Sequence, residues 1–202
     1  MNMKLINLMA ALLLVCSCGF AQTTISKEER KKALDELKSS QKELLQTIKG
    51  LSEAQLNYKP SEEAWSIANC VEHLAISEGN FKGLIEMSLQ PEADPSLRDS
   101  VKFADDDLLA MIVDRSYKVK TQKPFEPTNK YGGYEASLTS FKEGRSATIE
   151  FMKTTDDDLR NHYFDFPFGK ADTYQLVLFM SGHTRRHLAQ IKEVMASDGY
   201  PQ

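Results

Sequence analysis

The sequence predicts an all-α fold, a four-helix bundle with a long crossover between its second and third long helices. Three observations carry that expectation. Apolar residues recur at helical spacing in four long segments, while strand-like alternation is scarce. Between the second and third segments, residues 91–133 carry prolines at 91, 95, 124 and 127 and only weak patterning, which suits a connection running back along a bundle. The apolar stripes of the four segments are of similar length.

The first helix is expected over roughly 27–49. Ser26 and Glu29 have the spacing of a capping box, and Leu34, Leu37, Leu44, Leu45 and Ile48 follow at helical period until Gly50. A single turn is expected at 52–56, broken by Tyr58-Lys59-Pro60. Ser66 caps the second long helix, whose apolar series Ile67, Val71, Leu74, Ile76, Phe81, Leu84, Ile85, Leu89 ends at Pro91. Within the crossover, 105–115 is apolar enough for a short helix and 116–133 reads as extended. The third long helix is expected from Tyr134 or Glu135 to Lys153, with a further turn capped by Asp156-Asp157-Asp158. Residues 162–170, rich in aromatics and holding Pro167 and Gly169, predict a loop or small extended lip. The last helix begins near Thr173.

Residues 1–21 are expected to lie outside this domain as a secretory signal peptide. Lys4 is followed by the apolar run 5–15, broken by Asn7, and Gly19-Phe20-Ala21 places small residues before Gln22. The run falls short of the roughly 20 apolar residues that a membrane span needs. The expected location is therefore exported, periplasmic or secreted, with 22–202 as one domain. Val15-Cys16-Ser17-Cys18 partly resembles a lipobox, so lipid attachment at Cys18 is a second reading. Beyond the leader only Cys70 remains, which excludes an internal disulfide framework. The chain has 25 basic and 29 acidic residues, net −4, and no basic patch with interleaved aromatics. Nucleic acid is not expected as a partner. A homodimer through exposed helix faces is left open, because no exposed apolar stripe predicts one.

Three histidines carry the chemistry. His183 and His187 are one helical turn apart, a spacing that puts two side chains about 6 Å apart on one face. Met180, His183, His187, Gln190 and Ile191 continue the apolar stripe, so both rings are expected to point inward. His73 sits in register with Asn69, Cys70, Ile76 and Ser77 on the second long helix. Two readings of these residues stand on pattern alone: an open three-nitrogen metal site, or core histidines hydrogen-bonded to carbonyls and hydroxyls.

The block Trp65-Ser66-Ile67-Ala68-Asn69-Cys70-Val71-Glu72-His73-Leu74, with His183-Thr184-Arg185-Arg186-His187-Leu188-Ala189-Gln190-Ile191 far downstream, resembles the DinB-like superfamily of four-helix-bundle metalloenzymes. The likeness covers most of 27–198 and is thin over 91–133. It implies a divalent metal, commonly zinc or nickel, bound by His73, His183 and His187. On donor chemistry iron is also suited. The activity implied is metal-dependent hydrolysis of a small molecule, or thiol transfer as found in the wider family; a metal-stabilised binding module without catalysis is the third reading. The leader argues against thiol transfer, which draws on a cytosolic thiol pool. Thr184 stands where an H-E-x-x-H motif has its glutamate, so the general base is not evident. His162 is the candidate catalytic proton carrier at the mouth of the site, with a packing or surface role as the alternative. Cys70, Gln190, Arg186 and Glu72 lie near the histidines in sequence. Cys70 is expected as core rather than within reach of a metal, Arg186 as an exposed ion pair rather than a substrate anchor, and Glu72 as a group facing solvent or a neighbouring helix; Gln190 is either a partner for the His187 ring or ordinary helix-face polarity. Trp65 is expected to plug one end of the bundle.

Overall fold

A computed structural model describes residues 25–117 and 119–202. The expected leader and Cys18 lie outside the described residues. Six α-helices are present there: α1 Lys27–Thr47, α2 Glu53–Asn57, α3 Ile67–Ser88, α4 Asp105–Val113, α5 Tyr134–Thr154 and α6 Thr173–Met195. Each predicted start is set by local chemistry. Ser26, Ser52 and Ser66 all form capping boxes, with Glu29, Gln55 and Asn69 three residues on as their partners. Helix α1 stops at Thr47, two residues before the expected end, and Gly50 follows with φ +75°.

The four long helices form the bundle, in the order α1, α5, α3, α6 around its axis. Directions follow from paired residues. Tyr174 and Ser181 of α6 bond to the carbonyls of Glu29 and Glu36 of α1, so these two helices run parallel. Ser88 meets Thr173 while His73 meets His183, which makes α3 antiparallel to α6. Arg30 near the start of α1 donates to the carbonyl of Met152 near the end of α5. Helices α3 and α5 therefore run the same way, and only a connection as long as the bundle can join them. That connection is residues 89–133, as the sequence predicts. It carries a 3₁₀ turn, Pro95–Ser100, then α4 packed on α6, then a second 3₁₀ turn, Lys123–Phe125, packed on α3.

Of two small elements, one follows expectation and the other departs from it. The aromatic lip closes as a β-hairpin, Tyr163–Phe166 paired antiparallel with Gly169–Asp172. Gly169 has φ +137° and a Cβ there would meet the Lys102 side chain at 2.8 Å, so a bare backbone is needed at that turn. Asp156-Asp157-Asp158 starts no helical turn; Asp157 and Asp158 instead take hydrogen bonds within an irregular loop.

The interior divides into two apolar clusters. One gathers Leu37, Phe81, Met152, Leu159, Tyr174 and Val177; the other gathers Leu44, Ile67, Cys70, Leu74, Phe141, Leu188 and Ile191. Between them lies Arg145, wholly buried. It donates to both carboxylate oxygens of Glu78, to Leu37 O and Ser40 Oγ, and to Met180 O and Thr184 Oγ1. One α5 side chain thus ties the other three long helices at a single level. A buried guanidinium is tolerated only with its charge paired and its N–H groups satisfied, and here both conditions hold. Gly144 allows this approach, since a Cβ on it would lie 2.7 Å from Glu78 Cβ.

Candidate metal centre

The seam between α3 and α6, above the Arg145 level, carries the three histidines. Helix α3 enters at its Ser66 cap and reaches His73 within two turns, while α6 runs the opposite way and brings His183 and His187 alongside. The His73 Nε2 and His187 Nε2 atoms lie 3.1 and 3.2 Å from His183 Nε2. The ligand atoms of all three lie within 4.8 Å of one another. Around an ion with metal–nitrogen bonds of about 2.0–2.1 Å, tetrahedral to octahedral angles put neighbouring nitrogens roughly 2.9–3.4 Å apart. Both short separations fall in that interval.

The outer ring atoms are fixed by partners that leave the inner ones free. His73 Nδ1 donates to the carbonyl of Phe125 at 2.6 Å, and His187 Nδ1 donates to Gln190 Oε1 at 2.9 Å. Both Nε2 atoms therefore carry lone pairs toward His183. A neutral His183 can offer at most one N–H in return, so protons alone cannot satisfy three converging nitrogens. A cation among them does. Burial, with the like-charged neighbour rings adding to it, holds His183 and His187 well below the usual imidazole range, and burial holds His73 below it as well. The rings are thus neutral near pH 7, the form that ligates a metal.

Aromatic rings enclose this group. Trp65 lies nearly parallel to the His187 ring at 5.9 Å and 4.9 Å from the His73 ring, so it roofs the histidines besides closing the bundle end. On the other flank His183 packs against Phe179 at 5.8 Å and Phe81 at 5.4 Å. His187 borders an open cavity of about 860 Å³, between the Trp65 segment, the end of α6 and residues 115–128 of the crossover.

The other sequence candidates are placed as follows. His162 is not brought to the centre. Its Nδ1 contacts Ser88 O, at the opposite end of the bundle. From Ser88 to His73 is fifteen helical residues, about 22 Å. The reason is geometric: His162 precedes the start of α6, whereas His183 and His187 sit ten or more residues into that helix. Cys70 is fully buried in the apolar cluster, where burial pushes its thiol up to about 12. Glu72 is buried and accepts from the Lys130 backbone at 2.6 Å, tying the crossover's end to α3. Arg186 makes no ion pair among the described residues. It donates to the carbonyls of Ile112, Asp114 and Tyr117, fastening the end of α4 beside the site. Sequence reasoning missed the Phe125 carbonyl, a backbone group no residue pattern announces, and the Arg145–Glu78 pair.

Comparison with known proteins bears on the fold and the family. A curated relative, the uncharacterized protein YuaE of Bacillus subtilis (strain 168), is 28% identical over 151 residues, spanning 73% of this chain and 87% of YuaE. Among solved structures, YfiT from Bacillus subtilis, a probable metal-dependent hydrolase with an unusual four-helix bundle topology, matches with a TM-score of 0.55 at 20% identity. That match covers 85% of this chain and 89% of YfiT, and it supports the fold. The model of the DinB superfamily matches residues 36–191, most of the chain and all three histidines, and the chain belongs to that superfamily.

Proposed function

We propose that this protein binds one divalent metal ion through His73, His183 and His187 and uses it to hydrolyse a small molecule. The observation that carries the reading is the convergence of three Nε2 atoms, with the outer ring nitrogens of His73 and His187 already committed and His187 bordering an open cavity. Three protein ligands leave coordination positions for other groups, as in catalytic rather than structural sites. Held by His73, His183 and His187, a divalent ion would supply the Lewis acidity that hydrolysis needs. Zinc or nickel suits the donor set best, and ferrous iron is also compatible.

The chain's own residues support this in separate ways. Phe125 O and Gln190 fix which nitrogen of each ring faces inward, so no tautomer change is needed on binding. Trp65 screens the ligand rings from bulk water. Glu63 and Glu126 line the cavity without an ion pair among the described residues and are the carboxylates available to accept a proton. Export through the segment 1–21, or lipid attachment at Cys18, belongs to the same proposal and is supported by the leader's charge and apolar run.

The test is a panel of ester and amide substrates with protein purified without a metal-binding tag. Hydrolysis should vanish with a chelator, return with zinc or nickel, and be absent in His183→Ala. Thiol-dependent consumption of an electrophile without ester or amide cleavage would instead assign thiol transfer. Unfolding on metal removal, with no turnover beforehand, would assign a structural ion.

A further inference from the structure

We propose that the cavity beside His187 receives an uncharged aromatic or branched apolar group, so that the bond presented to the centre belongs to a neutral ester or amide. The choice of bond rests on the hydrolytic reading above, whereas the binding of the apolar group rests on the cavity wall alone.

The two guanidiniums nearest His187 have their N–H groups engaged, and the other charges on the cavity wall, Lys59 and Lys120 with Glu63 and Glu126, are two of each sign and favour neither an anion nor a cation. Arg186 gives its guanidinium to three backbone carbonyls. Arg115 is paired with Glu193 through two hydrogen bonds of 2.7 and 2.6 Å. No unpaired guanidinium is left beside His187 to receive a carboxylate or phosphate, which such recognition ordinarily uses. Four large apolar side chains stand strongly exposed among the described residues: Met87, Leu97, Tyr117 and Val119. Two of these, Tyr117 at 45% and Val119 at 65% exposure, line this one cavity together with Trp65. Apolar surface left in water at the wall of a concave site favours an apolar occupant.

Polar recognition is supplied by amides. Gln190 uses its oxygen on His187, and Asn69 uses its oxygen on the Ser66 cap. Both line the cavity, and the NH₂ group of each has no protein partner among the described residues. Two free amide donors beside an apolar wall fit a carbonyl oxygen better than a cation. The volume of about 860 Å³ is within the roughly 300–1,000 Å³ usual for small-molecule sites.

Trp65 is the chain's one tryptophan, so its fluorescence reports on this wall directly. The probes are N-benzylacetamide and its para-carboxylate and para-aminomethyl analogues, titrated into metal-free and zinc-loaded protein. The neutral ring should bind saturably, at least tenfold more tightly than either charged analogue, in both forms of the protein. Val119→Asp, at an exposed position that leaves folding intact, should weaken the neutral probe about tenfold or more. The inference is overturned if a charged analogue binds as tightly as the neutral one, if Val119→Asp changes nothing, or if the neutral probe shows no saturable binding. Selective ring binding by a zinc-loaded protein that cleaves no ester would sink the hydrolase reading and leave the inference standing. Metal-dependent hydrolysis without a neutral preference would do the reverse.

Discussion

Arg145 makes the sharpest stability prediction. Replacing Glu78 by Leu removes the one carboxylate that, among the described residues, pairs with a wholly buried guanidinium, and leaves Arg145 with the two carbonyls and two hydroxyls of its other partners. An uncompensated buried charge of this kind costs about 3–5 kcal/mol, a large part of the roughly 5–15 kcal/mol that holds a typical domain together. For a chain of this size that corresponds to a fall in Tm of roughly 6–20 °C. Arg145→Met alone strands the Glu78 carboxylate and should cost a similar amount. Combining the two removes the charge problem, and apolar side chains of comparable volume can fill the space, so the double variant should be more stable than either single one. Urea unfolding followed by circular dichroism gives the four free energies of this cycle. A Glu78→Leu variant within about 1 kcal/mol of wild type, or a double variant whose loss equals the sum of the singles, would refute the reasoning.

Further expectations concern other parts of the molecule. Gly144→Ala places a Cβ 2.7 Å from Glu78 Cβ, a backbone-anchored atom with little room to move, and should cost about 1–3 kcal/mol by thermal unfolding. Gln190→Ala should weaken zinc binding about 10- to 100-fold in a competitive chelator titration while leaving the fold intact, because it frees the His187 ring. His162→Ala should leave zinc affinity unchanged, since that ring packs at the other end of the bundle. The acid limb of stability should depend on Arg160. Burial opposes ionisation of Glu29 and Asp105, but the Ser26 backbone and Arg160 outweigh it for Glu29, and Arg160 for Asp105, so both carboxyls sit below their ordinary range. A pKa lowered on folding contributes stability above the unfolded value, about 4, that is lost as pH falls through the folded value. Arg160→Met should flatten that loss in pH-dependent unfolding curves, and an unchanged acid limb would contradict it.

Much of the fold was legible because each long helix carries an apolar stripe, and α1 and α3 carry a side-chain cap as well. Ser26 and Ser66 cap where expected, and the weak patterning of 91–133 marked the crossover that two parallel helices require. The histidines were legible because His183 and His187 continue the apolar stripe of α6. The buried pair was readable in principle by the same criterion. Arg145 falls in the series Leu138, Phe141, Thr148, Met152, and Glu78 in the series Leu74, Phe81, Ile85, each a charge where an inward-facing apolar residue belongs. Such a charge signals a buried partner on another helix, though not which one. Trp65 and Phe125 were not readable as parts of the centre, because each acts from a loop or a 3₁₀ turn whose path no periodicity determines. His162 misled because closeness in sequence to α6 says nothing about which end of that helix it neighbours.

The central claim is that His73, His183 and His187 together hold one divalent ion. Calorimetric titration of metal-free protein with zinc tests it most directly, run beside His73→Ala, His183→Ala and His187→Ala, each first shown to be folded by circular dichroism. The account predicts about one ion per chain for wild type and a loss of at least a hundredfold in affinity for each variant. A folded wild type that takes up no zinc or nickel, or three variants that bind as tightly as wild type, would contradict it.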